Sequence, residues 1–278
     1  MRTLSLGIST CPNDTFVFDA MINGKIDTCD LDFDCLLTDV EELNRNAFRA
    51  ETDITKISYH AYAHVAEDYI LLNSGSALGF NNGPLLVAAA KTDPAILESK
   101  MIAIPGKYTT ANLLLSILYP GLTYKKEYLF SEIEDVVLKG EVDAGLLIHE
   151  NRFTYKDKGL FKVIDLGEEW LDQTGMPIPL GGIAIKRNLG SEIASKVDRI
   201  IAASINYAYK NPASSYDFVS KYAASMDRNV MLKHINLYVN EFSPDLGEKG
   251  REAVRTLYEK AEKLKTISHI REDIFTGH

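Results

Sequence analysis

Four short segments carry side chains able to do chemistry, and each stands where a strand-like run gives way to a turn or a helix start. In Leu146-Leu147-Ile148-His149-Glu150-Asn151-Arg152 an imidazole follows an apolar run of the buried-strand type. With an ordinary pKa of ~6.5, a histidine at a strand end can take a proton near neutrality. The same position also suits a hydrogen-bonded structural histidine. Thr55-Lys56-Ile57-Ser58 places an ammonium and a hydroxyl beside one strand end, a pair suited to an acid group or, more plainly, to a surface lysine and a capping serine. Gly106-Lys107-Tyr108-Thr109-Thr110 lacks the G-x-x-x-x-G-K-[ST] spacing of a triphosphate loop. Threonines at a helix start can still cradle an anion through N–H and hydroxyl donors, or one of them can simply cap the helix. Ser9-Thr10-Cys11-Pro12-Asn13-Asp14-Thr15-Phe16 is dense in hydroxyls and amides at another helix start. Thr10, Asn13, Asp14 and Arg152 are the further side chains expected to line a cleft. Cys11 has no partner base nearby in sequence and reads as packing or lining.

The remaining histidines carry less. His60 and His64 are four apart and share a helix face, but the H-E-x-x-H pattern and further ligands are missing, so no metal site is expected. His234, His269 and His278 read as surface or helix residues, and Trp170 as core.

These segments need a scaffold that brings strand ends together. Strand-like and helix-like runs alternate through most of the chain, which argues for parallel sheet covered by helices. Residues 4–9, 31–37, 53–57, 101–104, 142–148 and 183–186 read as strands. Asn13 is placed to cap a helix over 14–23, Thr38 with Glu41 and Ser131 with Glu134 form capping-box patterns, and Ser58 can cap the helix after it. Beyond residue 186 the chain reads as nearly all helix, with Ile193, Val197, Ile200, Ile201 and Ile205 on one face. Two glycine-rich breaks, each ahead of an apolar run, suggest an α/β protein of two lobes with a cleft between them. The crossings are expected near 85–90 and 182–186, with lobe one formed by 1–88 and 184–278 and lobe two by 89–183. A single doubly wound sheet is the alternative. In open α/β sheets, ligands bind beyond the C-terminal strand ends, where all four segments fall.

Bulk properties narrow the function. The 278 residues are 46% hydrophobic and 25% charged, an ordinary globular balance. A net charge of -9 argues against a nucleic-acid surface but leaves a local anion site open. Three cysteines without a C-x-x-C pair fit a reducing compartment. With no signal-peptide pattern and no apolar run of membrane-spanning length, a cytoplasmic protein is expected.

Taken together in order and spacing, Cys11-Pro12-Asn13-Asp14-Thr15-Phe16, Lys56-Ile57-Ser58, Thr109-Thr110 and Ile148-His149-Glu150-Asn151-Arg152-Phe153-Thr154-Tyr155 resemble the 1,4-dihydroxy-6-naphthoate synthase family of the futalosine route to menaquinone. The resemblance covers almost the whole chain. It implies a fold like the type II periplasmic binding proteins in a cytoplasmic enzyme. It also implies cleavage of cyclic dehypoxanthine futalosine to 1,4-dihydroxy-6-naphthoate and dihydroxyacetone. It carries the proton-accepting role to His149 and substrate contact to Lys56, Ile57, Ser58, Thr109 and Thr110. The family's turn often has another proline before Pro12; here Thr10 and Cys11 precede it, so their roles stay open. The implied reaction is a carbon–carbon lyase step that needs no metal or redox cofactor. The partner expected is a small carboxylated substrate, with a homodimer among the assembly options. The rival readings are chorismate dehydratase of the same pathway, which shares fold and a carboxylated substrate, and a ligand-binding protein without catalysis. The His149 segment favours the synthase.

Overall fold

The computed structural model describes residues 2–80, 82–149, 151–223 and 227–277. Strand β1 (Arg2–Ser9) leads into α1 (Pro12–Ile22), and the chain returns beside β1, parallel to it, as β2 (Leu31–Thr38). Helix α2 (Val40–Phe48) connects to β3 (Ile54–Ser58), which lies parallel on the other side of β1. The short α3 (Tyr59–Tyr62), β4 (Tyr69–Leu71) and β5 (Ala77–Gly79) follow. The chain then crosses to a second sheet and runs through β6 (Leu85–Ala88), β7 (Ile102–Ile104), α4 (Thr110–Leu118) and β8 (Lys125–Glu127). It continues there as α5 (Ile133–Leu138), β9 (Ala144–Leu147), α6 (Asn151–Thr154), β10 (Phe161–Asp165) and α7 (Leu166–Thr174). It crosses back as β11 (Ile178–Lys186) and ends in α8 (Ser191–Lys210), α9 (Tyr216–Tyr222), α10 (Arg228–Tyr238) and α11 (Gly247–Lys263).

The first sheet has the order β2-β1-β3-β11-β4, with β5 also on β11, and the second β10-β6-β9-β7-β8. Both are mixed. β11 is antiparallel to β3, β4 and β5, and β6 is antiparallel to β9 and β10. The antiparallel pairs occur where the chain enters or leaves a sheet, because a strand arriving from the other lobe has no crossover helix to set it parallel.

The lobe boundaries differ from those the sequence suggests. Residues 85–88 pair in the second sheet, Leu85 with both Leu147 and Asp165. Residues 178–183 pair in the first sheet, with Gly181 opposite Ser58. The apolar runs after the glycine-rich breaks are therefore strands, and the crossings are the breaks themselves, near 82–84 and 175–177. All four residues of β6 are buried. A linker made of them would leave apolar side chains and backbone groups unsatisfied, which sheet pairing avoids. At the first crossing a Cβ on Gly83 would stand 2.3 Å from the Gly167 nitrogen, so only glycine lets these backbones meet. The Leu166 N–H donates to the Pro84 carbonyl at 3.0 Å, fixing the crossing to the start of α7.

Two core clusters each belong to one sheet, and a third runs across both lobes. Leu4, Leu6 and Ile8 of β1 pack with Phe16 and Phe18 of α1 and with Val197, Ile201 and Ile205 of α8, whose apolar stripe has the expected helical spacing. Leu86, Ile102, Ile104, Leu113, Leu114 and Trp170 of the second lobe share one cluster with Ile57, Leu71 and Ala184 of the first, and the Trp170 ring N–H donates to the Pro177 carbonyl at 3.1 Å.

Several caps shift by a residue or more. α1 starts at Pro12 after Cys11, so Asn13 lies inside the first turn instead of capping it. Proline at the first helical position needs no N–H partner and brings a suitable φ. Asp39, not Thr38, caps α2 by accepting the Glu41 and Glu42 N–H groups at 2.9 and 3.2 Å. Ser131 caps no helix among the described residues; α5 begins at Ile133, and buried Glu134 accepts from Lys158 and Asn151. Among the described residues no helix is long and apolar enough to cross a membrane.

Candidate active site

Between the two sheets lies a cleft with about 670 Å³ of empty space. The first sheet supplies Ser9 and Ser58, the last residues of β1 and β3. The second supplies His149, two residues beyond β9, and Thr109 and Thr110 at the start of α4. Asn13, Asp14, Lys56, Ile57, Ala111, Asn82, His234 and Tyr238 complete much of the wall. The strand ends thus converge as the general rule for open sheets requires.

A buried ion pair forms one side. Lys56 Nζ stands 3.0 Å from Asp14 Oδ1, with both side chains almost wholly buried. Asp14 also accepts from the Ser9 hydroxyl at 2.6 Å and the Asn13 amide at 2.8 Å. Lys56 further donates to the Gly75 carbonyl at 3.3 Å. Buried charges persist only when paired and hydrogen-bonded in this way. Lys56 is therefore no isolated cation waiting for an acid; the lysine and aspartate together are neutral, with one ammonium N–H left for the cleft.

Opposite it is a cradle of neutral donors. The first N–H groups of a helix have no intrahelical carbonyl to meet. In α4 the Asn112 N–H is taken by the Thr109 hydroxyl at 3.3 Å, while those of Thr110 and Ala111 have no partner among the described residues. Both residues line the cleft. The threonine hydroxyls are themselves engaged, Thr109 donating to the Gly106 carbonyl and Thr110 to that of Leu180. Ser58 does not cap α3; its N–H donates to Asn44 Oδ1 at 3.0 Å and its oxygen accepts the Asn44 amide at 3.1 Å. That leaves the Ser58 hydroxyl proton for a ligand. The α4 N–H groups, the helix dipole and Ser58 make a site for a carboxylate.

His149 has a backbone φ of 56°, in the left-handed region that few non-glycine residues adopt. Its ring meets Phe130 edge-on at 4.9 Å and stacks against His234 at 6.1 Å. Its Nδ1 is 3.3 Å from the Cys11 sulfur. His234 is fully buried on α10, four residues before Tyr238, and their rings lie 4.5 Å apart. Burial, with a smaller contribution from a charge on His149, holds the His234 pKa well below its ordinary value, so this imidazole is neutral at neutral pH.

The sequence-expected residues separate cleanly. His149, Lys56, Ile57, Ser58, Thr109, Thr110, Asn13 and Asp14 line the cleft; Thr10 and Arg152 are not in its wall. Arg152 instead reaches the Gly83 carbonyl and stands 3.6 Å from Asp165, tying α6 to the crossing. His60 and His64 sit beside Tyr108, with His60 Nδ1 3.2 Å from the Thr109 carbonyl. The sequence reading missed Asn44, Asn82, His234 and Tyr238, and found no base beside Cys11. The i, i+4 spacing of His234 and Tyr238 was the available signal, since it places both on one helix face.

A family model for menaquinone biosynthesis matches residues 4–263. The chain is 42% identical over 262 residues to the 1,4-dihydroxy-6-naphthoate synthase of Thermus thermophilus, covering 94% of this chain and 95% of that protein. It superposes on a crystal structure of an Archaeoglobus fulgidus protein with a TM-score of 0.90 and 39% identity, covering 95% of this chain and 98% of that one. A Candida albicans protein described as having the generic periplasmic binding protein fold matches with a TM-score of 0.72 over 99% of this chain and 94% of that one. At 13% identity it shows the fold alone.

Proposed function

The chain belongs to the menaquinone biosynthesis family, and on that premise we propose that it cleaves cyclic dehypoxanthine futalosine to 1,4-dihydroxy-6-naphthoate and dihydroxyacetone, with His149 as the base. It is a 1,4-dihydroxy-6-naphthoate synthase of the lyase class, like its Thermus relative, and we place it in the cytoplasm. The observation that carries the substrate and base assignment is that one cleft holds both His149 and the carboxylate cradle of Ser58 and α4. The ring carboxylate sits on the Thr110 and Ala111 N–H groups and the Ser58 hydroxyl, with the spare N–H of Lys56 nearby. Because Lys56 is neutralised by Asp14, the cradle binds through oriented dipoles and does not hold the product as tightly as a free cation does.

His149 takes a hydroxyl proton from the bound substrate. The carbon–carbon bond beside that hydroxyl breaks, its electron pair enters the ring system, and the departing three-carbon piece keeps the new carbonyl. Aromatisation of the second ring drives the step forward. Proton transfer of this kind contributes about 10²–10⁴ in rate, and fixing the reacting groups in a closed cleft supplies a further large factor. Supplying cyclic dehypoxanthine futalosine and chorismate separately, and following naphthoate by its absorbance, tests the reading. Naphthoate is expected from the first only. H149A is expected to lose turnover while still binding the naphthoate product; near-normal turnover by H149A would overturn the base assignment, and dehydration of chorismate the substrate assignment.

A further inference from the structure

The carboxylate cradle and His149 do not account for the whole cleft. Asn82 and His234 also line it, and they are buried to 1% and 0% exposure. All four of their side-chain polar atoms, Asn82 Nδ2 and Oδ1 and His234 Nδ1 and Nε2, lack a hydrogen-bond partner among the described residues. Buried amides and imidazoles are rarely left this way, because each unpaired group loses its hydration without compensation. Unpaired polar atoms in a core are a fault, but unpaired polar atoms on a cleft wall are groups held ready for a ligand.

Position supports this. Asn82 stands on the crossing between the sheets and His234 on α10, elements that contribute nothing to the carboxylate cradle. His234 stacks on His149, so a group hydrogen-bonded to it lies beside the base. Chemistry supports it too. An amide offers donors and an acceptor, and a neutral imidazole one of each. Hydroxyl groups both donate and accept, and so match this pair; a second carboxylate does not, since Lys56 is already tied to Asp14.

We propose that Asn82 and His234 form a second, uncharged subsite that binds the hydroxylated three-carbon end of the substrate and sets it against His149. The proposal rests on the synthase reading above. It makes both residues specificity-determining: they grip the fragment that leaves, whereas the cradle grips the fragment that becomes the naphthoate. A site built to hydrogen-bond hydroxyls discriminates strongly against a ligand lacking them.

The test separates the two ends of the substrate. N82L and H234F have nearly the shape of the native side chains and remove the buried polar atoms, so both are expected to melt no lower than the unaltered protein. Their kcat/KM for cyclic dehypoxanthine futalosine is expected to fall at least 100-fold. Their affinity for 1,4-dihydroxy-6-naphthoate, which has the carboxylate but not the three-carbon end, is expected to stay within twofold. H234Q, which retains a donor and an acceptor, is expected to recover part of the loss. A kcat/KM within threefold of the unaltered protein would overturn the subsite, as would equal losses of substrate and naphthoate affinity in both variants. Failure of the unaltered protein to release naphthoate would sink the underlying reading, and the subsite with it.

Discussion

The sulfur of Cys11 lies 3.3 Å from Nδ1 of His149 and 3.9 Å from Nε2. The cysteine is the N-cap of α1, on the first lobe, and the histidine follows β9, on the second. The contact therefore joins the two lobes and holds the proposed base through a group on the other lobe. A thiol is a weak partner that still restricts the ring. C11A is expected to lower kcat by several-fold to tenfold with little change in KM, and C11S to lose less. Steady-state kinetics on the cyclic substrate check this; a change confined to KM would show that Cys11 acts on binding instead.

The left-handed backbone at His149 predicts a separation of stability from activity. That conformation costs an ordinary residue roughly 1–2 kcal/mol, whereas glycine and asparagine adopt it more readily. H149G and H149N are expected to unfold at a urea midpoint equal to or above that of the unaltered protein. Both are expected to lose about 10²–10⁴ in turnover. A marked fall in midpoint for both would show that the imidazole is chiefly a structural contact.

The Lys56–Asp14 pair predicts an asymmetric pattern. K56M leaves the Asp14 carboxylate buried with only the Ser9 and Asn13 donors, and breaking a buried pair costs about 3–5 kcal/mol. D14N with K56M removes both charges and is expected to regain most of that stability. Urea denaturation of the single and double variants measures the difference. Equal losses in the two would show that the ion pair itself carries little.

Acid is expected to weaken the fold through His60. Burial, with a smaller effect of a charge on His64, lowers its pKa from 6.5 to about 4. The unfolded chain therefore binds more protons than the folded one between these values, so stability is full above about 6.5 and is lost as pH falls towards 4. The contribution amounts to about 3 kcal/mol. H60Q is expected to flatten the dependence of unfolding free energy on pH in this window by about one proton. An unchanged slope in H60Q would assign the acid sensitivity elsewhere.

Much of the scaffold was legible because periodicity and punctuation are local. The α8 stripe and the strands before Ser9, Ser58 and His149 follow from apolar spacing and flanking turns. The lobe boundaries were not legible, because an apolar run of four residues such as 85–88 looks alike whether it joins two sheets or belongs to one; only its partners, Leu147 and Asp165 among them, decide. The cleft was half legible for the same reason. Residues at strand ends announce themselves in sequence, whereas His234 and Asn82 reach the site from elements whose position depends on tertiary packing. The pairing of Lys56 with Asp14 likewise joins residues 42 positions apart, which no local pattern reveals.

The double crossing has a consequence for how the chain is made. The second sheet is continuous in sequence, from β6 to β10, so its strands can pair as soon as that stretch emerges during synthesis. The first sheet cannot. Its β11 belongs between β3 and β4, yet it is synthesised about a hundred residues after them, and its core still awaits α8. Until then β3 has an open edge. The N-terminal strands must wait, partly paired, while the other lobe forms, so the ribosome finishes the lobe it began first only after completing the one it began second.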